Sequence, residues 1–249
     1  MPPLLSFLNV SKRYPDGGRE IAVLDRVSLE VEAGASVGIL GTRRSGKSTL
    51  LRLAAGIALA DSGSVCFDGR DIARMAGSER GRLLRGEIGF MSAADWRAIP
   101  GERVVDHVAT SLGSEGLTMR EARRRAMRVL DRVEIGAACA EESTMSLSLD
   151  ERARVMLARA LAREPRLLIL DEPVLLPNLS ERDSFNALLR AAASERAIAL
   201  LMASEEMVAL QGVTVMMSIA DGELVSTEPR GVVVPLPGRR RSGAERSGQ

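Results

Sequence analysis

Two glycines five positions apart, Gly41 and Gly46, are followed at once by Lys47, Ser48 and Thr49. Glycine, four residues, then glycine, lysine and a hydroxyl residue is the pattern of a loop that grips phosphate. Thr42, Arg43, Arg44 and Ser45 fill the interval. Backbone N–H groups of such a loop can surround an anion, and a helix beginning near Lys47 adds its positive end. Lys47 then supplies a point charge near the β and γ phosphates, and Ser48 a hard oxygen for Mg²⁺. Arg43 and Arg44 are extra cations that either reinforce the field at the phosphates or project into solvent.

Asp171 and Glu172 close the apolar run Leu167 to Leu170 and give a second chemical signal. A carboxylate at the end of a buried strand can hold Mg²⁺ through its water shell, and the residue beside it can polarise water for attack on a phosphate. A purely structural carboxylate pair is the other reading. With the phosphate loop upstream, Ser48 and Asp171 are the expected metal ligands, and Lys47 and Glu172 the expected catalytic pair.

These residues need a frame. The apolar run Ser36 to Leu40 predicts a strand ending at Gly41, and Lys47 to Gly56 predicts a helix, so the glycine loop lies between strand and helix. Before it, Val27, Leu29 and Val31 alternate with polar neighbours and Gly17-Gly18 marks a turn, which predicts an antiparallel β opening. Strands are expected at Val65 to Phe67, Ile88 to Met91, Leu167 to Leu170 and Ala197 to Ala203, and a hairpin over Val213 to Val225 turning at Asp221-Gly222. Arg70 to Arg85 is charged and partly helical. A helix from Thr118 to Ile135 carries a capping box, Thr118 with Glu121, and an apolar face of Ala122, Ala126, Val129, Leu130 and Val133. Further helices are expected at Leu149 to Arg163 and Glu181 to Ser194. Strands alternating with helices predict an α/β fold with a mostly parallel core sheet.

The 249 residues, 45% hydrophobic and 27% charged, suffice for one large domain, placed at 1–228 with a helical lobe near 90–155. A net charge of +1 provides no field that would select nucleic acid, which is excluded as a main partner. Cys66 and Cys139 stand far apart and His107 is the only histidine, so neither a disulfide framework nor a zinc site is expected and a reducing cytosol fits best. No stretch approaches the roughly 20 apolar residues of a spanning helix, so membrane attachment is expected to come through another subunit. Residues 229–249, with Arg239-Arg240-Arg241, are expected to form a flexible tail; contact with lipid headgroups is the alternative.

From Leu4 to Val225 the motifs occur in the order of the ABC ATPases, and the chain resembles that family. Tyr14, in SKRY, sits where the family stacks an aromatic on adenine; plain core is the other reading for this single tyrosine. Leu147 to Leu161, LSLDERARVMLARAL, lines up with the LSGGQ signature and its helix. The resemblance implies a P-loop NTPase fold of ABC type with an antiparallel β lobe and a helical lobe. It also implies ATP and Mg²⁺ as cofactors, and a dimer in which Ser148 of one subunit reaches the ATP of the other. FDGRDI and IGFM are most similar to the type that serves lipoprotein-release and macrolide-export permeases. A membrane permease subunit is thus the implied partner, with the chain cytoplasmic and peripheral on the inner face of the membrane.

The chain departs from the family pattern at four places. Leu149, Asp150 and Glu151 replace Gly, Gly and Gln in the signature; Ala93 stands where a glutamine is expected, Asn178 where the D-loop has aspartate, and Ser204 where a histidine follows the strand. Two carboxylates aimed at the partner's γ-phosphate from about 4 Å would repel it by about 1 to 4 kcal/mol each. Two readings follow. The chain is either a slow ATPase that drives a permease, as homodimer or heterodimer, or a hydrolysis-deficient regulatory subunit paired with a complete ATPase.

Overall fold

The computed structural model describes residues 2–113, 116–172, 176 and 178–226; the tail expected over 229–249 lies outside the described residues. The chain opens with β1 (Leu5–Asp16) and β2 (Arg19–Val31), an antiparallel pair that turns at Gly17-Gly18. β3 (Ser36–Gly41) passes through the glycine loop into α1 (Lys47–Ala54). β4 (Ser62–Phe67), β5 (Arg70–Asp71), α2 (Gly77–Gly86) and β6 (Ile88–Ser92) follow. Then come four helices, α3 (Val104–Ala109), α4 (Met119–Arg132), α5 (Ala137–Ala140) and α6 (Leu149–Leu161). β7 (Leu167–Asp171), α7 (Leu179–Ser194), β8 (Ala199–Ser204), β9 (Val215–Ala220) and β10 (Glu223–Ser226) complete the described chain.

Two sheets result. One is antiparallel, in the order β2-β1-β4-β5; the other runs β10-β9-β3-β8-β7-β6, parallel throughout except for the β9–β10 hairpin. This is the α/β class expected, with a mostly parallel core sheet beside an antiparallel one. The strands at its centre are continuous apolar runs because both of their faces are covered. Leu168, Leu170, Leu200 and Met202 face a core shared with α3, α4, α6 and α7. Leu167, Ile169, Leu201 and Ala203, alternating with them, pack towards α1 and the antiparallel sheet through Leu50, Leu51 and Phe7.

At four boundaries that differ from expectation, a left-handed residue is the cause. α1 stops at Ala54 ahead of Gly56 (φ 70), and α4 stops at Arg132 because Glu134 turns left-handed (φ 59) while the Ile135 N–H closes back on the Leu130 carbonyl at 2.9 Å. α6 ends at Leu161 before Glu164 (φ 57), and Ala197 (φ 51) delays β8 to Ala199. The expected capping box of α4 is present in both directions: the Glu121 N–H donates to Thr118 Oγ1 and the Thr118 N–H to Glu121 Oε2. α7 begins two residues earlier than expected because the Asn178 side chain accepts from the Ser180 N–H at 3.0 Å and caps it.

His107 is an interior residue of α3, 3% exposed, with its ring against Trp96. Its Nδ1 lies 2.7 Å from Glu102 Oε2 and its Nε2 2.8 Å from Arg159 Nη1. Arginine can only donate, so Nε2 accepts, Nδ1–H donates to Glu102, and the ring is neutral. Burial holds its pKa below the ordinary 6.5, with the Arg159 charge adding to the effect and Glu102 opposing it. Above 6.5 neither the folded nor the unfolded state carries the proton. As pH falls below that value the unfolded chain takes up a proton that the folded chain refuses, so stability declines until the lower folded value is passed. Thermal melts between pH 7.5 and 5 are expected to fall across this window. His107→Gln should flatten the slope there even if it lowers every melting temperature, and an unchanged slope in the variant would refute the assignment.

Candidate functional site

The glycine loop is shaped by what surrounds it. A side-chain carbon on Gly41 would stand 2.5 Å from Ser45 Oγ, and one on Gly46, whose φ is 104, would stand 2.7 Å from the Val23 carbonyl. Both positions therefore exclude other residues, and β2 closes directly on the loop. Arg44 holds a left-handed φ of 63 without being glycine, a conformation that costs roughly 1–2 kcal/mol in an L-residue. Thr42, Arg43 and Arg44 are exposed; Thr49 is half-buried. Ser45 Oγ is buried with no hydrogen-bond partner among the described residues, a polar atom that an anion in the loop could satisfy.

Lys47 lies on the first turn of α1, only 5% exposed. Its ammonium donates to the Gly41 and Thr42 carbonyls, 2.9 Å each, and stands 3.4 Å from Glu172 Oε1 and 3.7 Å from Glu205 Oε1. The ammonium is thus fixed over the loop mouth between two carboxylates.

The next residue, Ser48, donates to Asp171 Oδ1 at 3.1 Å. Burial pushes the Asp171 carboxyl above its ordinary pKa; the Ser48 hydrogen bond and the charges of Arg52 and Lys47 act against it. A hydroxyl and a carboxylate at this separation are hard oxygen donors of the kind Mg²⁺ takes. Among the described residues no cluster of three or more His, Cys, Asp or Glu forms a metal cage. A cation here would complete its shell with phosphate and water, as Mg²⁺ at a nucleotide does.

Glu172 leaves β7 with φ 47. Strain of this kind is concentrated at functional sites. Its N–H bonds the Ala203 carbonyl at 3.0 Å, and its Oε2 accepts from Ser204 Oγ at 3.1 Å and from the Glu205 N–H at 3.3 Å. Sequence reading overlooked Glu205. The available signal was an acidic pair directly after β8, the parallel neighbour of the Asp171 strand, since sites in such sheets form at the carboxyl ends of strands.

Tyr14 is 38% exposed on β1 and therefore not core; Lys12 Nζ lies 5.4 Å from the centre of its ring. It pairs with Ile21, on the strand whose Val23 carbonyl abuts Gly46. Ser148 is the N-cap of α6, and the two carboxylates that follow it have partners within the chain. The Glu151 carboxylate folds back to accept from the Ser148 N–H at 2.8 Å, and Asp150 Oδ2 accepts from Arg154 Nε at 2.8 Å. Glu151 thereby closes a capping box that satisfies helix donors otherwise orphaned, while Asp150 pairs with Arg154 through one oxygen. Glu151 also raises the Cys139 thiol, which burial chiefly pushes up to about 11. Ala93 begins a short 3-10 turn after β6, and Asn178 caps α7. A cavity of about 580 Å³ lies apart from the loop, lined by Phe90, Trp96, Met156 and Arg159 among others.

A family model described as ABC transporter matches residues 24–175. The lipoprotein-releasing system ATP-binding protein LolD of Pseudomonas syringae is 32% identical over 222 residues, which cover 89% of this chain and 97% of that protein. LolD of Alcanivorax borkumensis is 36% identical over 180 residues, 72% of this chain and 77% of that one. Among solved structures, the ATP-binding cassette MJ0796, a dimer in a post-hydrolysis state bound to ADP and Pi, matches with a TM-score of 0.81. It is 25% identical, over 88% of this chain and 96% of that chain.

Proposed function

The chain belongs to the ABC transporter ATP-binding family, and on that premise we propose that it binds MgATP and hydrolyses it slowly to drive a separate membrane permease. The observation that carries this reading is the Lys47 ammonium held at the loop mouth opposite Glu172, with the Ser48–Asp171 oxygen pair on the adjoining residues. The loop amides and Lys47 grip the triphosphate, and the exposed Tyr14 ring offers a face for adenine. Ser48 and Asp171 would hold the cation, which would supply positive charge to the phosphate oxygens. Glu172 orients a water whose oxygen bonds to the γ-phosphorus as the bond to the ADP oxygen breaks, and its carboxylate takes the water's proton.

Similarity to lipoprotein-releasing proteins supports a permease of that type as partner, a second ATP-binding subunit facing this one, and a place on the cytoplasmic face of the membrane. No helix among the described residues is long and apolar enough to cross a membrane. The ATP-binding domain spans 1–228 in this reading. Ala93, Asn178 and Ser204 occupy coupling positions, so the chain alone is expected to turn over slowly.

The test is co-purification of the permease followed by single-turnover hydrolysis, with and without it. Binding of MgATP with slow turnover that the permease accelerates is expected. Binding without turnover, restored only by a complete second ATPase subunit, would instead favour the regulatory reading.

A further inference from the structure

We infer that Ser204 is a positioning residue that sets which oxygen of Glu172 faces the reacting phosphate. This rests on the hydrolytic reading above. The parallel register of β7 and β8 pairs Asp171 with Ala203, and the Glu172 N–H bonds the Ala203 carbonyl at 3.0 Å, so the residues leaving the two strands stand side by side. Ser204 is 3% exposed at the end of β8. Its Oγ accepts from the Glu206 N–H at 3.1 Å, which leaves the hydroxyl hydrogen to donate to Glu172 Oε2, also at 3.1 Å. The hydrogen bonds therefore run one way, from the Glu206 amide through the Ser204 hydroxyl to the carboxylate.

The Glu205 N–H takes the same oxygen at 3.3 Å. Both donors are spent on Oε2; Oε1 has no hydrogen-bond partner among the described residues and lies 3.4 Å from Lys47 Nζ, the group proposed to grip the terminal phosphate. The terminal torsion of glutamate is broad and roughly two-fold, so nothing intrinsic to the side chain chooses this orientation. Remove the hydroxyl and the carboxylate keeps one amide while Lys47 draws it inward, away from an attacking water. Both capacities of the buried serine hydroxyl are accounted for, since the main chain meets its acceptor side and its hydrogen goes to the proposed base.

The experiment uses the full chain with its co-purified permease and compares kcat, KM for MgATP and nucleotide affinity across wild type, Ser204→Ala, Ser204→Thr, Glu172→Gln and the Ser204→Ala/Glu172→Gln double variant. Ser204→Ala is expected to lower kcat about tenfold to a hundredfold, the size of a lost hydrogen bond to a charged group, with KM and affinity within about twofold. Ser204→Thr keeps the hydroxyl and should recover most of the rate. In the Glu172→Gln background the alanine change should add nothing, since it acts through that carboxylate. An unchanged kcat, a loss seen only in KM, or a full additional loss in the double variant would overturn the positioning role while leaving the hydrolytic reading intact. A wild-type rate in Glu172→Gln, or binding without any turnover by the wild type, would sink both.

Discussion

Lys47→Ala is expected to remove measurable MgATP binding, weakening it roughly a thousandfold. Lys47 is 5% exposed and its ammonium is held 2.9 Å from two loop carbonyls, so its charge acts on a bound phosphate from a fixed point. At about 4 Å and an effective dielectric near 20, one unit charge contributes about 4 kcal/mol, close to three decades of affinity. Its loss has a second effect. Glu172 and Glu205, 3.4 and 3.7 Å from Nζ, would be left facing the phosphates without a cation between them. Isothermal titration or a fluorescent nucleotide on the folded variant checks this, with thermal melting as the control for folding. Binding within about threefold of wild type would remove the basis of the proposed function.

Glu172→Gln is expected to lower kcat by a factor of roughly a hundred to ten thousand, the range for removing a general base, while MgATP binds as tightly as before or more tightly. The two effects have opposite signs for one physical reason. The carboxylate that accepts a proton from water also stands beside Lys47 and competes with phosphate for its charge. Glutamine keeps an acceptor for the Ser204 hydroxyl, so the site's shape is preserved while basicity and charge are lost. Single-turnover hydrolysis and nucleotide affinity, measured on one preparation, separate the two. Loss of binding together with rate would show Glu172 to be structural, holding the loop through Lys47.

Much of the frame was legible because its signals are local. The α4 capping box follows from Thr118 and Glu121 three residues apart, and the centre of the parallel sheet from uninterrupted apolar runs at β7 and β8. Boundaries were less legible where a non-glycine residue adopts a left-handed conformation, as at Glu134 and Ala197. Such a choice is made by what the chain must reach next, which composition does not announce. The signature segment shows the same limit. Asp150 and Glu151 read as bare charges in the sequence, whereas in the fold Glu151 closes a capping box and Asp150 pairs with Arg154 one turn away.

The sequence by itself determined the chemistry on offer: a glycine loop with lysine and serine, a carboxylate pair closing a buried run, and the alternation of strand and helix that joins them. Each depends on neighbours within a few residues, where spacing dictates geometry. Tertiary structure decided how those groups are aimed. The parallel pairing of β7 with β8 brought Ser204 and Glu205 to Glu172 across 32 or more positions of chain, placed a second carboxylate near Lys47 and turned one glutamate oxygen towards it. Strand register fixes such contacts, and it is set by the burial of whole faces rather than by any short stretch of residues.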